Sequence, residues 1–140
     1  MKRIGNLYHK IYSMDNLLEA DKNASKGKFN QKGVIKHRQN QVENLINLQE
    51  KLIDKSYKTS NYRNFVINEP KERNISSLPY YPDRIVHHAI LQIMGNILVK
   101  SFTSDTYSCI PKRGIHLASF RLRRFLRERE RESKKFMYSS

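Results

Sequence analysis

Two cations, Lys71 and Arg73, flank a short turn in the sequence EPKER. At the tip of a hairpin, such a turn projects an ammonium, a guanidinium and free backbone N–H groups into solvent, and these groups bind phosphate oxygens well. Exposed hairpins also carry basic residues for solubility, so the motif alone is a weak indication. It predicts phosphate binding, to a triphosphate or to a nucleic-acid backbone.

Other candidate residues favour packing over chemistry. His87 and His88 are adjacent on a predicted helix, where neighbouring side chains diverge by about 100°, so they cannot jointly face one metal ion. Tyr80 and Tyr81 could stack on bases, but the favoured interpretation is that one ring packs on the hairpin and the other is exposed. Cys109 is the only cysteine and is expected to be a small, partly buried side chain. We therefore predict no metal site and no catalytic residue in this chain.

The composition points to a polyanionic partner. Lys and Arg number 27 against 13 Asp and Glu, which gives a formal charge of +14 and a pI near 10.0. Because the basic residues recur along the whole chain among Tyr, Phe and amide side chains, nucleic acid is favoured over a membrane surface. No segment approaches the ~20 apolar residues of a membrane span. We expect a single domain in the cytoplasm, with no membrane partner.

The predicted fold is α+β and mostly α-helical, with four main helices and one β-hairpin. Apolar residues at helical spacing predict helices over 4–20, 34–56, 85–98 and from about Gly114. Residues 21–33 predict a basic, mobile connector, for which a solvated loop is at least as good an interpretation as a phosphate contact. A strand over 62–67 pairs with 73–78 as the hairpin. Residues 1–60 thus hold the N-terminal helices and basic loop, and 61–140 hold the hairpin, a buried helix and a basic last helix.

The two C-terminal helices have opposite characters. Asp83 follows Pro82, after an extended link, and stands at the N-cap position of the helix over 85–98, which is predicted to be the most buried in the chain. The last helix is rich in arginine and has a few glutamates that can pair locally. Such a run is usually a solvated face, but the excess of arginine makes phosphate contact a serious alternative. Arg121 and Arg124 are its candidate nucleic-acid contacts.

The order of these motifs resembles the opening region of bacterial reverse transcriptases. It reads E-P-K-E-R-x-I-x-x-L-P-Y-Y-P-D-R-I-V-H-H-A-I, followed by F-T-S-D-T-Y-S-C-I-P-K-R-G-I-H-x-A-S. The greatest similarity is to the enzymes of group II introns and diversity-generating retroelements. It extends over essentially the whole chain, and residues 65–119 carry its specificity.

The resemblance implies the fingers of a right-hand RNA-directed DNA polymerase. Lys71 and Arg73 would meet the phosphates of the incoming deoxynucleoside triphosphate. Asp83, Arg84 and His88 would lie at the start of the helix that supports the fingers and faces the template side, and Arg84 would contact the template RNA or the RNA/DNA hybrid. The element that contacts the template strand or shapes its channel is matched by Arg113, Gly114 and His116.

Catalysis in this family uses two divalent metal ions held by aspartates of the palm. Asp105 is the last aspartate of this sequence, and nothing after it supplies such a set. The resemblance therefore implies a chain that ends before the palm, is inactive alone and carries no cofactor, whereas Mg²⁺, the palm and the thumb belong to the full-length enzyme. The alternative is a stand-alone basic RNA-binding accessory module without polymerase activity. A helix-turn-helix regulator is a more distant third.

Overall fold

The computed structural model describes residues 4–108 and 110–138, with side chains described as far as Glu132. Within these residues the fold is α+β and mostly helical, as predicted. Contacts divide the chain into two compact units, Met1–Ile97 and Leu98–Ser140. The elements, in chain order, are α1 (Tyr8–Ile11), α2 (Met14–Ser25), α3 (Lys32–Gln39), α4 (Gln41–Ile53), β1 (Arg63–Asn68), β2 (Glu72–Ser77), α5 (Ile85–Ser101) and α6 (Ile115–Tyr138).

The core of the first unit lies between α2, α4 and the first turns of α5. Its apolar side chains recur every three or four residues on each helix, so that each helix turns one face inward. Burying a side chain of leucine size stabilises the fold by about 1.5–3 kcal/mol. The buried apolar residues of these three helices are Leu17, Ala20, Ala24, Leu45, Leu48, Leu52, Ile85, Val86 and Ala89.

The single helix predicted over 4–20 is wrong, because the chain breaks between α1 and α2. Ser13 adopts an extended conformation, and its hydroxyl donates to the carbonyl of Lys10 at 3.0 Å. The Asn16 amide donates to the carbonyls of Ile11 and Ala89 at 2.9 and 3.1 Å, which ties the break to α5. Helix α2 also continues to Ser25, so only the C-terminal part of the predicted connector joins helices.

The helix predicted over 34–56 is also wrong, since it is divided at Asn40 into α3 and α4. Asn40 leaves the helical conformation, with φ −129° and ψ 41°. The break turns His37 at the end of α3 and Gln41 at the start of α4 toward the same buried residue, Asp21. The spacing of apolar residues does not reveal polar contacts of this kind, so the break could not be predicted from it.

Two predictions about α5 are wrong. Asp83 caps no helix with its side chain; it lies in a kinked helical turn over Tyr80–Arg84 that leads into α5, and it is fully buried. Helix α5 is not the most buried helix either, because its buried residues all lie in its first turns and Leu91 is 58% exposed. Helix α2 buries half of its residues.

The hairpin is confirmed, with each strand within one residue of its prediction. Strand β1 pairs antiparallel with β2, and Phe65 stands opposite Ile75 while Ile67 stands opposite Arg73. Every residue of β1 is exposed. The hairpin is therefore a projecting element of the first unit.

The second unit consists of the end of α5, a loop and α6. The Arg113 guanidinium organises the loop by donating to the carbonyls of Thr103, Ser104 and Thr106 at 3.4, 3.2 and 3.2 Å. Helix α6 begins at Ile115, as predicted, and its described side chains are almost all exposed. In the ranges that the structure describes, no helix is long and apolar enough to cross a membrane.

Candidate nucleic-acid interface

The hairpin has one polar face and one face that combines apolar and cationic side chains. Residues directly opposite each other in an antiparallel pair share a face, as do residues two apart on one strand. The pairs Phe65–Ile75 and Ile67–Arg73 therefore lie on the same face. The polar face carries Asn64, Val66, Asn68, Glu72, Asn74 and Ser76. We call the other one, with Arg63, Phe65, Ile67, Arg73, Ile75 and Ser77, the hairpin's groove face.

A surface groove of about 410 Å³ lies between the hairpin and the start of α5. Tyr62 and Phe65 supply aromatic rings that are 60% and 42% exposed. Arg84 and His87 line the groove from the α5 side. Exposed rings beside cations are the combination that binds single-stranded nucleic acid, since bases stack on the rings and phosphates contact the cations. The remaining lining residues are Ile75, Ser76, Ser77 and Leu78.

Lys71 and Arg73 are exposed and lie at one end of this surface. Lys71 stands in the turn between the strands, and Arg73 stands on the groove face of β2. Neither forms a salt bridge within the described part of the chain, and neither does Arg84. The three cations predicted for the first unit are thus available for an anionic ligand.

A buried carboxylate holds the start of α5 near the hairpin. Asp83 Oδ1 accepts the hydroxyl of Tyr57 at 2.6 Å and the backbone N–H of Ser60 at 3.1 Å. Burial acts to raise the pKa of Asp83, but hydrogen bonds from Ser60 and Tyr57 and the nearby charge of His87 outweigh it and lower the pKa. Burial, and then the bond to Asp83, raises the pKa of Tyr57 to about 12. Tyr57 is therefore a protonated donor to an ionised Asp83 at neutral pH.

A second buried polar cluster, centred on Asp21, holds the kinked turn over Tyr80–Arg84 in place. Asp21 accepts the hydroxyl of Tyr80 through Oδ1 and the side-chain amide of Gln41 through Oδ2, the latter at 2.6 Å. His37 Nε2 lies 3.3 Å from Asp21 Oδ1, which is an ion-pair distance without hydrogen-bond alignment. Burial acts to raise the pKa of Asp21, but its polar partners, His37 first, outweigh burial and hold the pKa below its usual value.

Both tyrosines pack inside the protein, but the prediction that one ring lies on the hairpin and the other is exposed is wrong, because the two rings contact His37 of α3. Tyr80 is 7% exposed. The Tyr81 ring stacks on His37 at a centroid distance of 5.3 Å, and its hydroxyl donates to the carbonyl of Asn44 at 2.9 Å. Both rings are engaged inside the protein, so they are not available for bases.

The adjacent histidines of α5 lie in different surroundings. His87 is exposed and lines the groove, whereas His88 is half-buried. Burial, followed by the positive charges of Lys28, Arg84 and His87, lowers the pKa of His88. Across residues 4–108 and 110–138, no three metal-ligating side chains are grouped closely enough to hold an ion.

The remaining predicted site residues belong to the second unit. Arg113 is bound to loop carbonyls, while Gly114 and His116 are exposed. Arg121 Nε forms a salt bridge of 2.6 Å with Asp105, and Arg124 Nε forms one of 2.9 Å with Glu128. The prediction for Cys109 lies outside the described residues.

Sequence reasoning missed the groove residues Tyr62, Phe65 and His87. The sequence predicts only a strand for the two aromatics, and for His87 it favours packing over a metal site. Successive residues of a strand alternate between its two faces, so the strand pairing places Phe65 on the same face as Arg73. This alternation could have identified Phe65 as a groove residue. The approach of α5 to the hairpin depends on Asp83, for which the sequence carries no comparable sign.

Comparison with protein-family models and with curated proteins finds no match to this chain.

Proposed function

We propose that the chain is the fingers region of an RNA-directed DNA polymerase, and that the hairpin and its groove bind the nucleotide phosphates and the template strand. The observation that carries the proposal is the placement of Arg73 on the groove face, together with Phe65 and close to the groove that Arg84 lines. A cation and a ring on one face can contact phosphate and base at the same time.

The hairpin supports this function through its exposure and charge. Lys71 in the turn and Arg73 on the strand extend one basic surface from the tip toward the groove. A compact ammonium and a forked guanidinium complement each other in phosphate binding, because the first acts as a point charge and the second can bind two oxygens. The resemblance to bacterial reverse transcriptases also implies that these two residues contact the phosphates of the incoming triphosphate.

A stand-alone basic RNA-binding module is the second candidate. The formal charge of +14 and the exposed arginines of α6 favour it, since they require no polymerase partner. Mg²⁺-dependent primer extension by the 140-residue chain would contradict both candidates, because each predicts binding without nucleotide transfer. The reading frame that follows the codon of Ser140 separates them: an aspartate-bearing palm favours the polymerase, and unrelated sequence favours the module.

The binding surface is tested by moving one cation across the hairpin. In the variant R73N/N74R the arginine passes from the groove face to the polar face, while composition and net charge stay the same. We expect the affinity for an RNA/DNA template–primer to fall in this variant, measured by fluorescence anisotropy at fixed salt. An unchanged affinity would show that only net charge matters and would refute the proposed surface.

A further inference from the structure

The six arginines from Arg121 to Arg131 fall into two groups according to their salt bridges. Three are paired with acidic residues: Arg121 with Asp105 at 2.6 Å, Arg124 with Glu128 at 2.9 Å and Arg129 with Glu132 at 3.7 Å. The other three, Arg123, Arg127 and Arg131, form no salt bridge with any acidic side chain that the structure describes.

The arginines without a salt bridge form one line along α6. They are spaced four residues apart, and the helical rise of about 1.5 Å per residue separates neighbours by about 6 Å along the axis. Like charges at this spacing repel one another and weaken the isolated helix, whereas Arg124 and Glu128 show the stabilising arrangement at the same spacing. Helix stability therefore does not explain the line, but a polyanionic ligand would.

An exposed aromatic ring lies beside these arginines. Phe120 is 69% exposed, and with Arg123, Arg124, Arg127, Glu128 and Arg131 it lines a surface groove of about 510 Å³. We call Phe120, Arg123, Arg127 and Arg131 the arginine ridge. Every described cation of α6 after His116 is arginine, and a guanidinium binds phosphate in a forked geometry and also stacks on bases.

We propose that the arginine ridge is a second nucleic-acid site, which binds single-stranded RNA with backbone phosphates on its arginines and one unpaired base on Phe120. A stacked ring requires a base that is not paired, and this favours a single strand over a duplex. The choice of RNA over DNA rests on the proposed function. The site itself does not, because its residues belong to a different unit from the hairpin.

A membrane surface fits the ridge less well. Helices that lie on anionic lipid keep their aromatic and aliphatic residues together on a face opposite the arginines. On α6 the exposed Leu122, Phe125 and Leu126 lie roughly opposite the ridge, but Phe120 lies among the ridge arginines, where a helix on lipid would not keep an aromatic ring. Vesicle binding is therefore an outcome to be tested against RNA binding.

The test compares two double variants of the whole chain that lose the same charge. R123Q/R127Q removes two ridge arginines, and R121Q/R129Q removes two arginines that are paired with acidic residues. With a labelled oligouridine, we expect the ridge variant to bind more weakly and its slope of log affinity against log salt to flatten by about 1.4, or about 0.7 per lost phosphate contact. Equal losses in the two variants would overturn the proposal, and circular dichroism checks that both remain helical.

Phe120→Ala tests the stacked base. We expect its affinity for oligouridine to fall by about fivefold to about a hundredfold, and its affinity for an abasic oligomer of equal length to stay unchanged. Leu122→Ala is the matched control, since it removes an exposed apolar side chain from another face of α6. Equal binding of duplex RNA and oligouridine, or of single-stranded DNA and RNA, would refute the chosen ligand. A ridge variant that loses binding only to phosphatidylserine vesicles would replace RNA with a membrane.

The same measurements distinguish the two proposals. R73N/N74R should weaken template–primer binding while oligouridine binding by the ridge persists. If the hairpin variant has no effect and the ridge variant does, the proposed function fails and the ridge site stands. If only the hairpin variant has an effect, the ridge site fails.

Discussion

The Tyr57 hydroxyl donates a hydrogen bond of 2.6 Å to Oδ1 of Asp83, a residue 26 positions further along the chain and fully buried. The same oxygen accepts the backbone N–H of Ser60 at 3.1 Å. Tyr57 and Ser60 precede β1, and Asp83 precedes α5. This one carboxylate therefore connects the segments that carry the two sides of the groove.

Tyr57→Phe should destabilise the first unit by about 1.5–3 kcal/mol, the cost of losing a hydrogen bond to a charged group. The free energy of unfolding from urea titration measures it. Tyr8→Phe is the control, because the hydroxyl of Tyr8 donates to the neutral carbonyl of Leu52 and its loss should cost only about 0.5–1.5 kcal/mol. A smaller loss for Tyr57→Phe than for Tyr8→Phe would show that the bond to Asp83 is not the stronger one.

Alkaline pH should weaken the fold through the same bond. The pKa of Tyr57 is about 12 in the folded chain and about 10 in an unfolded one. A pKa raised by folding contributes stability that is complete below pH ~10 and is lost as the pH rises toward 12. We expect the free energy of unfolding to fall over this window, and to fall less in Tyr57→Phe. Because burial also raises the pKa of Tyr80, part of the fall should remain in the variant.

Acid should act through the two buried aspartates. The pKa values of Asp21 and Asp83 are lowered in the folded chain. Carboxyls of this kind contribute stability that is present above their unfolded pKa of about 3.9 and is lost as the pH falls through the folded values. Unfolding followed by circular dichroism should therefore show decreasing stability below pH ~4. Asp83→Asn should have a flatter acid profile than the unaltered chain, because it cannot take up this proton. Parallel acid profiles for the two proteins would contradict this assignment.

The apolar pattern was enough to predict the fold class, the hairpin and α6. The aromatic and β-branched content of β1 and the helical spacing in α6 are local properties, and both elements begin within one residue of their predicted starts. The breaks at Ser13 and Asn40 escaped prediction because side-chain hydrogen bonds and buried polar partners distant in sequence determine them. Asp83 shows the same limit: its position predicted a helix cap, and tertiary contacts with Tyr57 and Ser60 turned it into a buried anchor.

The candidate site also has parts that the sequence predicts and parts that depend on tertiary contacts. The exposure of Lys71 and Arg73 could be predicted because residues in or next to a short turn lie near the exposed tip of a hairpin. The groove could not, because it needs the approach of α5 to the hairpin. The sequence also could not show which α6 arginines form salt bridges, because Arg121 pairs with Asp105 in the preceding loop rather than with a neighbour on the helix.

Two glycines in helices should respond to alanine in opposite directions. At Gly95 in α5 a Cβ would meet nothing within 4 Å, and Ala is favoured over Gly in a helix by about 0.5–1 kcal/mol. We expect Gly95→Ala to raise the melting temperature. At Gly33 in α3 a Cβ would lie 3.1 Å from Cβ of Tyr80. Tyr80 cannot move aside easily, because it is buried and its hydroxyl is bound to Asp21.

Gly33→Ala should therefore lower the melting temperature despite the gain in helix propensity, because overpacking costs about 1–3 kcal/mol. The double variant Gly33→Ala with Tyr80→Phe identifies the cause. Without its hydroxyl the ring is released from Asp21 and can shift, so part of the cost of the alanine should disappear, although Tyr80→Phe alone destabilises the fold. Strictly additive melting temperatures would mean that the hydrogen bond between Tyr80 and Asp21 does not hold the ring against α3.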